Sequence, residues 1–317
     1  MRLLVTGGAG YIGGSFIRSA FAAGHEITVL DNLSTGHRDA VPEPVRFVHG
    51  DIRQRDLMDT LLAESEAVVH FAALSIVSHS IADPLGYYRE NLGGFLALME
   101  AIADSPVRKL VFSSSAAVYG MGEGRPFKED DPRRPVNPYG GTKLAIEETL
   151  EHVAPGLGLD YASLRYFNAA GALDDHGERH DPETHLIPLA LEAAAKGGEL
   201  KIFGQDYATP DGTCIRDYIH VEDLALAHLK ALEVLGDGLR TALNLGTGSG
   251  FSVREVANCV KNVTGLPLKV SETTRREGDP ALLVADVGKA WDLLAWRAEK
   301  LELSDIVQSA WNFLNPR

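Results

Sequence analysis

The stretch Arg2-Leu3-Leu4-Val5-Thr6-Gly7-Gly8-Ala9-Gly10-Tyr11-Ile12-Gly13 decides the fold. An apolar strand from Leu3 to Val5 runs into a glycine-rich turn and then into a helix predicted from Tyr11 to Ala23. Gly7 suits the tight turn, Gly10 lets the backbone approach phosphate oxygens, and Gly13 lets the helix pack close to the sheet. The start of that helix, at Tyr11 and Ile12, faces an anion with its free N–H groups. The spacing G-x-x-G-x-x-G is one residue longer than the usual dinucleotide fingerprint, so its context carries the weight. That context is a second strand, Glu26 to Leu30, ending in Asp31 and followed by Asn32. An acid about twenty residues beyond the glycine loop accepts ribose hydroxyls and repels a 2′-phosphate, which predicts NAD rather than NADP.

Outward from this turn, strand and helix patterns alternate with short Gly or polar connections. Strands are predicted at Arg2 to Val5, Ile27 to Leu30, Val45 to Val48, Ala67 to His70, Lys109 to Phe112 and Tyr161 to Leu164. Helices are predicted at Gln54 to Ala63, Pro84 to Asp104 and Pro138 to His152. A helix from Val221 to Leu235 and a strand from Thr241 to Leu245 read as a late return to the same sheet. The pattern predicts an α/β fold with a Rossmann-type doubly wound parallel sheet. Residues 1–170 and 218–249 form its dinucleotide-binding domain in this reading. Residues 171–217 and 250–317, richer in loops and charge, form a smaller discontinuous C-terminal substrate lobe over the carboxyl ends of the strands.

Composition narrows the function. The chain has 317 residues, 45% hydrophobic and 23% charged, enough for a large core. A net charge of -14 argues against a nucleic acid partner, whose phosphates demand clustered Lys and Arg. Cys214 and Cys259 are too few for a disulfide framework or a cysteine zinc site, and no metal is expected. No apolar run approaches the roughly twenty residues of a membrane span, and no leader pattern precedes the first strand, so a cytoplasmic protein is expected.

Two further segments carry chemistry. Asn137-Pro138-Tyr139-Gly140-Gly141-Thr142-Lys143 reads as a helix start, with Asn as N-cap and Pro at the first helical position. Residues four apart are neighbours on a helix, so Lys143 is expected beside Tyr139, favouring its phenolate and lowering its pKa. The predicted strand at Lys109 runs into Ser113-Ser114-Ser115, so three hydroxyls emerge where a parallel strand meets the ligand crevice. One of them can bond a substrate hydroxyl or carbonyl.

The glycine turn, Ser115, Tyr139 and Lys143 together resemble the extended short-chain dehydrogenase/reductase superfamily. More specifically, the chain resembles the UDP-glucose 4-epimerase family over nearly its whole length. The matching blocks, in order, are Val5 to Gly13, Leu30 to Leu33, Gly50 to Arg53, His70-Phe71-Ala72, Phe112 to Gly120, Pro138 to Lys143, Leu164 to Asn168, Gly212 to Val221 and Arg275-Arg276-Glu277-Gly278-Asp279. The resemblance implies NAD as cofactor, a UDP-sugar as substrate and a homodimer formed through helices in Pro84 to Asp104 and Pro138 to His152. It implies that Ser115, Tyr139 and Lys143 are catalytic. Asp51 and Ile52 would hold adenine and Asp31, with Asn32, its ribose. Phe71, Ala72, Asn91, Ser113 and Tyr166 would also contact the cofactor, and Lys143 its nicotinamide ribose. Asn168, Arg216, Tyr218, Arg276 and Asp279 would grip the nucleotide and diphosphate, with His185, Leu186, Lys201, Phe203 and Leu283 completing the substrate set. Read without the family, Arg216 is equally an ion-pair partner, Asn168 a turn residue and His185 a helix start.

The implied reaction inverts C4 of a UDP-hexose, UDP-galactose to UDP-glucose, through a 4-keto sugar, as a step of galactose metabolism. Tyr139 removes the O4 proton, and the keto-sugar, anchored by its nucleotide, turns to present its other face. A 4,6-dehydratase would need an Asp-Glu pair where Ala116 and Ala117 stand. A UDP-glucuronate 4-epimerase, or another NAD-dependent nucleotide-sugar enzyme, is the alternative, and a noncatalytic dinucleotide sensor a more distant one. The chain departs from the best-known pattern at Ser75, where many relatives carry a lysine, and at Gly93, Ala117 and His185.

Overall fold

Successive residues of the first strand face opposite cores, and this alternation sets the architecture. A computed structural model describes residues 1–276 and 278–315. Its first strand, β1 (Arg2–Thr6), sends Leu3 and Val5 into one apolar cluster and Leu4 into another. The remaining strands of the sheet are β2 (Glu26–Asp31), β3 (Arg46–His49), β4 (Ala67–His70), β5 (Lys109–Ser115), β6 (Asp160–Tyr166) and β7 (Arg240–Leu245). All seven run parallel in the order β3-β2-β1-β4-β5-β6-β7. Both faces are covered, as a parallel sheet requires. Phe16, Ile17 and Leu224, from helices Tyr11–Ala22 and Val221–Val234, pack on one face. Met58, Leu98 and Ile146, from helices Arg55–Ala63, Gly94–Ala103 and Pro138–Leu157, pack on the other.

Strand order reverses between β1 and β4, which opens a crevice at their carboxyl ends. The glycine turn closes one side of it. Gly7 has φ +74°, and a Cβ there would lie 2.4 Å from the Ala72 backbone nitrogen. A Cβ on Gly13 would lie 2.3 Å from the Gly7 carbonyl, so both positions exclude side chains for reasons of space.

The expected helix over Pro84 to Asp104 is divided: Pro84–Tyr87, a π segment Tyr88–Gly93, then Gly94–Ala103. The widened turn carries Asn91, whose amide bonds the Leu74 backbone in both directions at 2.8 and 3.0 Å and Thr142 Oγ1 at 3.0 Å. That clamp joins the loop after β4 to the helix bearing Tyr139. The latter helix continues past His152 to Leu157 and stops at Gly158, φ +60°.

The C-terminal segments hold more helix than their loop-rich composition suggests. Helices Leu186–Lys196, Val253–Thr264 and Leu303–Leu314 enclose a separate core containing Ile187, Val260 and Ile306. Strand Glu199–Phe203 runs parallel to Lys269–Thr273 beside them. The apolar stripe of Val253–Thr264 is narrow, Val256, Ala257 and Val260, and its polar remainder hides the helical period. Among the described residues, no helix is long and apolar enough to cross a membrane.

Two glycine substitutions separate these constraints. Gly13→Ala is expected to lower the denaturation midpoint sharply, because a backbone carbonyl blocks the new methyl. Gly156→Ala, in a helix with nothing within 4 Å of the new Cβ, is expected to stabilise by about 0.5–1 kcal/mol. Urea unfolding of both variants checks the pair, and similar midpoints would contradict the packing described.

Candidate active site

A cleft of about 390 Å³ lies over the carboxyl ends of the sheet. Gly7, Gly10, Tyr11, Ile12 and Gly13 form its turn wall. Asp31 and Asn32, at the end of β2, and Asp51 and Ile52, after β3, line one end, while Phe71 and Ala72 lie after β4. Ser113, Ser115, Tyr139, Lys143 and Tyr166 line the other side. Of the residues expected at the cofactor, Asn91 alone does not line the cleft: it is 1% exposed, and its amide is used in the clamp described above.

The side with Ser115, Tyr139 and Lys143 is assembled by one helix docking on the end of one strand. Ser115 ends β5, and its Oγ accepts the Ala117 N–H at 3.2 Å. Asn137 caps the helix as expected, Oδ1 accepting the Gly140 N–H at 2.9 Å, with Pro138 in the first turn. Gly140 permits the approach, since a Cβ there would stand 2.4 Å from the Ala117 carbonyl. Lys143 is 2% exposed, donates from Nζ to the Ser113 carbonyl at 2.7 Å, and lies 5.8 Å from the centre of the Tyr139 ring. One turn further, Glu147 accepts from Arg165 at 2.9 and 2.7 Å and from Ser114 Oγ at 2.5 Å. Arg165 also donates to Tyr119 Oη at 2.7 Å, tying β6 to this network.

The electrostatics differ from the sequence expectation. Spacing alone predicts that Lys143 lowers the Tyr139 pKa. In the structure, burial pushes the phenol up to about 12, with Ser115 pulling the other way and Tyr87 adding to the rise. Burial also pushes Lys143 down to about 7, against the Glu147 carboxylate that raises it. Both groups have lost water, and each moves toward its neutral form. The ammonium spends its short contact on a carbonyl rather than on the phenol.

Asp31 meets the glycine turn directly, accepting the Ala9 N–H at 2.9 Å and the Leu33 N–H at 2.8 Å. Asp51 is held down to about 2, chiefly by Arg53, with Asn32 assisting at 3.1 Å. Arg38, the cation nearest in sequence to Asp31, lies over the Phe47 ring at 4.6 Å and donates to the Val41 carbonyl at 3.1 Å.

The expected substrate residues fall into two groups. Asn168 and His185 line the cleft. Leu186, Lys201, Phe203, Arg216, Tyr218, Arg276, Asp279 and Leu283 stand outside its lining. Strand register connects the groups, with Asn168 opposite Tyr218 and Arg216 opposite Leu283. Arg216 pairs with Asp279 at 2.7 Å, not with its neighbour Asp217, whose carboxylate accepts backbone N–H groups of Thr247, Gly248 and Ala285. Arg276 covers the Phe203 ring at 3.7 Å, and Lys201 lies two residues back along the same strand. Leu283 packs against a cluster that includes Ala116, Val118, Tyr119, Phe127 and Phe167. Leu186 opens its helix after His185 and packs on the C-terminal core. Glu277, within the Arg275 to Asp279 block, lies outside the described residues. Sequence reasoning missed Glu178 and His180, which also line the cleft, although E-x-H-x-x-E-x-H over 178–185 was a visible signal.

A profile described as NAD dependent epimerase/dehydratase family matches residues 3–246. A UDP-glucose 4-epimerase of Lacticaseibacillus casei is 45% identical, the match covering 99% of this chain and 96% of the relative. The crystal structure of UDP-glucose 4-epimerase from Brucella ovis in complex with NAD superposes with a TM-score of 0.94 at 44% identity, covering 98% of each chain. One from Stenotrophomonas maltophila, with bound NAD and formylated UDP-arabinopyranose, reaches a TM-score of 0.95 at 40% identity, covering 99% of this chain and 97% of its own.

Glu147→Gln tests the buried charge network. Removing the carboxylate that supports the ammonium is expected to move the Lys143 midpoint further below 7. Leaving the buried Arg165 guanidinium without its carboxylate partner is expected to cost about 3–5 kcal/mol of stability. NMR titration of isotopically labelled lysine reads the first effect and urea unfolding the second. An unchanged or higher Lys143 midpoint contradicts the assignment.

Proposed function

Because the chain belongs to the NAD dependent epimerase/dehydratase family, we propose that it inverts C4 of a UDP-hexose, interconverting UDP-galactose and UDP-glucose with NAD as cofactor. The observation that carries this reading is the meeting of Ser115, Tyr139 and Lys143 in one cleft with the glycine turn and Asp31. The residues fit the cofactor: the turn leaves no room for a Cβ at Gly7 or Gly13, and a carboxylate ends the second strand. Asp31 supports NAD over NADP by charge. NAD bound in the cleft supplies a hydride acceptor and donor together with a positive charge.

In this reading Tyr139 takes the proton from O4 and later returns it, while Ser115 holds and polarises O4. A phenol lifted to about 12 by burial needs positive charge nearby to ionise; Lys143, itself pushed down to about 7, would supply part of it, the cofactor the rest, and Lys143 would also hold the cofactor ribose. Arg216, Arg276, Asn168, Tyr218 and Asp279 hold the nucleotide and diphosphate, with Lys201 and Phe203 at the far end. A guanidinium has five N–H donors, so Arg216 keeps some for phosphate beyond its bonds to Asp279, Ile215 and Pro280. Firm nucleotide binding with few fixed contacts to the hexose lets the keto-sugar turn. The relatives described above carry the hexose name, which favours the hexose over the uronate alternative.

We assign residues 1–170 and 218–249 to cofactor binding and the remainder to the substrate lobe. We further propose a homodimer, supported by exposed apolar side chains on the expected helices, Leu85 at 76% and Leu96 at 43%, with Ile81 at 64% beside them. A cytoplasmic role in galactose metabolism follows from the proposed substrates and cofactor.

Incubation of the purified protein with UDP-galactose, without added reductant, is expected to yield UDP-glucose. Tyr139→Phe is expected to fold, to bind NAD and to lose about a hundredfold to ten-thousandfold in rate, and Ser115→Ala less. Folded, NAD-loaded Tyr139→Phe with undiminished turnover contradicts the proton path. Calorimetric titration is expected to show NAD binding more tightly than NADP, and equal affinities contradict the role of Asp31. With Ser75 in place of a lysine, extensive dialysis is expected to leave NAD below full occupancy.

A further inference from the structure

Four side chains of the stretch Glu178 to His185 converge at the wall of the cleft. His180 Nδ1 and His185 Nδ1 each lie 2.8 Å from Glu178 Oε1, and His185 Nδ1 lies 2.8 Å from Glu183 Oε1. One ligating atom from each of Glu178, His180, Glu183 and His185 falls within 4.8 Å of all the others. The neighbouring cation offers no alternative partner, because Arg179 turns away and forks onto Asp39 at 2.9 and 2.7 Å. Two carboxylates therefore face two imidazoles. We propose that these four residues form a binding site for a divalent transition-metal ion of the zinc class.

The donor chemistry supports this choice. Two imidazole nitrogens and two carboxylate oxygens suit zinc, cobalt or nickel, whereas magnesium and calcium take oxygen ligands. With neutral histidines the two carboxylates carry the charge that a divalent ion cancels. Tetrahedral bonds of about 2.1 Å place neighbouring ligands about 3.4 Å apart, so the 2.8 Å contacts need to open by about half an ångström. The ligands are also braced: Glu183 Oε1 accepts the backbone N–H groups of Thr184 at 2.6 Å and His185 at 2.7 Å. His185 is the half-exposed member, which leaves an entry path. Four protein ligands make the site closed and structural.

The site's position gives it a task. Glu178 follows the short strand His176–Gly177, and His176 Nε2 bonds the Tyr11 carbonyl at 2.8 Å, at the start of the first helix. His185 precedes helix Leu186–Lys196. A bound ion pins the segment between these two anchors and fixes the cleft wall formed by Glu178, His180 and His185.

Elemental analysis of the full-length protein, purified without chelator, tests the proposal together with zinc and cobalt titration of chelator-stripped protein. The expected results are near-stoichiometric transition metal, a visible absorption band of four-coordinate cobalt and a fall in melting temperature with chelator. His180→Gln and Glu183→Gln are each expected to reduce affinity tenfold or more while retaining the circular dichroism of the parent. Absence of bound metal in the wild-type protein, combined with no zinc or cobalt binding after stripping, overturns the proposal and leaves a hydrogen-bonded His–Glu cluster. Undiminished affinity in both folded variants overturns it too. Should the variants fail to fold, the wild-type titrations still decide.

Discussion

One hydrogen bond, from the buried Lys143 ammonium to the Ser113 carbonyl at 2.7 Å, organises the chemistry of this chain. It fixes the helix that carries Tyr139 against the end of the strand that carries Ser115. A buried ammonium is tolerated only with partners, and burial has already pushed Lys143 down to about 7. The compensation comes from below. Glu147 sits one turn along the same helix and is held by Arg165 and Ser114, so the charge near the cleft rests on a network spanning β5, the helix and β6. The Asn91 clamp adds the loop after β4 to the same frame. Ser115, Tyr139 and Lys143 thereby stand on rigid elements, with their surroundings fixed by packing and hydrogen bonds.

The same compactness makes the free site electrostatically unfinished. A phenol at about 12 beside a lysine at about 7 is a pair in which neither partner favours its charged form. In the proposed reaction the positive charge of the cofactor completes the site, so proton abstraction is suppressed until NAD is present. The residues proposed for the nucleotide stand apart: Arg216 pairs with Asp279 and Arg276 covers the Phe203 ring, away from the cleft lining. That separation suits a reaction in which one end of the ligand is gripped while the sugar turns.

Features fixed by local geometry were legible in the sequence. The glycine turn, the strand ending in Asp31, the Asn137 cap and the Tyr139–Lys143 neighbourhood each depend on short spacings, and each stands where the spacing puts it. Features that depend on the balance of burial were not. The i,i+4 spacing reports proximity but not desolvation, so the pKa directions of Tyr139 and Lys143 were out of reach. The partner of Arg216 was equally hidden, because Asp279 lies far along the chain and Asp217 beside it is used by backbone N–H groups. The π segment Tyr88–Gly93 was hidden too: the glycine pair Gly93-Gly94 marks its end, but nothing in the spacing announces a widened turn around Asn91. The helices of the C-terminal lobe were obscured by charge on their outer faces. Glu178, His180, Glu183 and His185 are close in sequence, and only the fold shows that their ligating atoms meet.

The central claim is that the hydrogen removed from C4 is the one returned to it, with Tyr139 handling only the proton on O4. Conversion of UDP-galactose in deuterated water, with the product examined by NMR and mass spectrometry, tests this most directly. The account predicts UDP-glucose with no deuterium on its ring carbons. Solvent deuterium at C4 would contradict it, because the hydrogen would then have passed through a proton rather than a hydride.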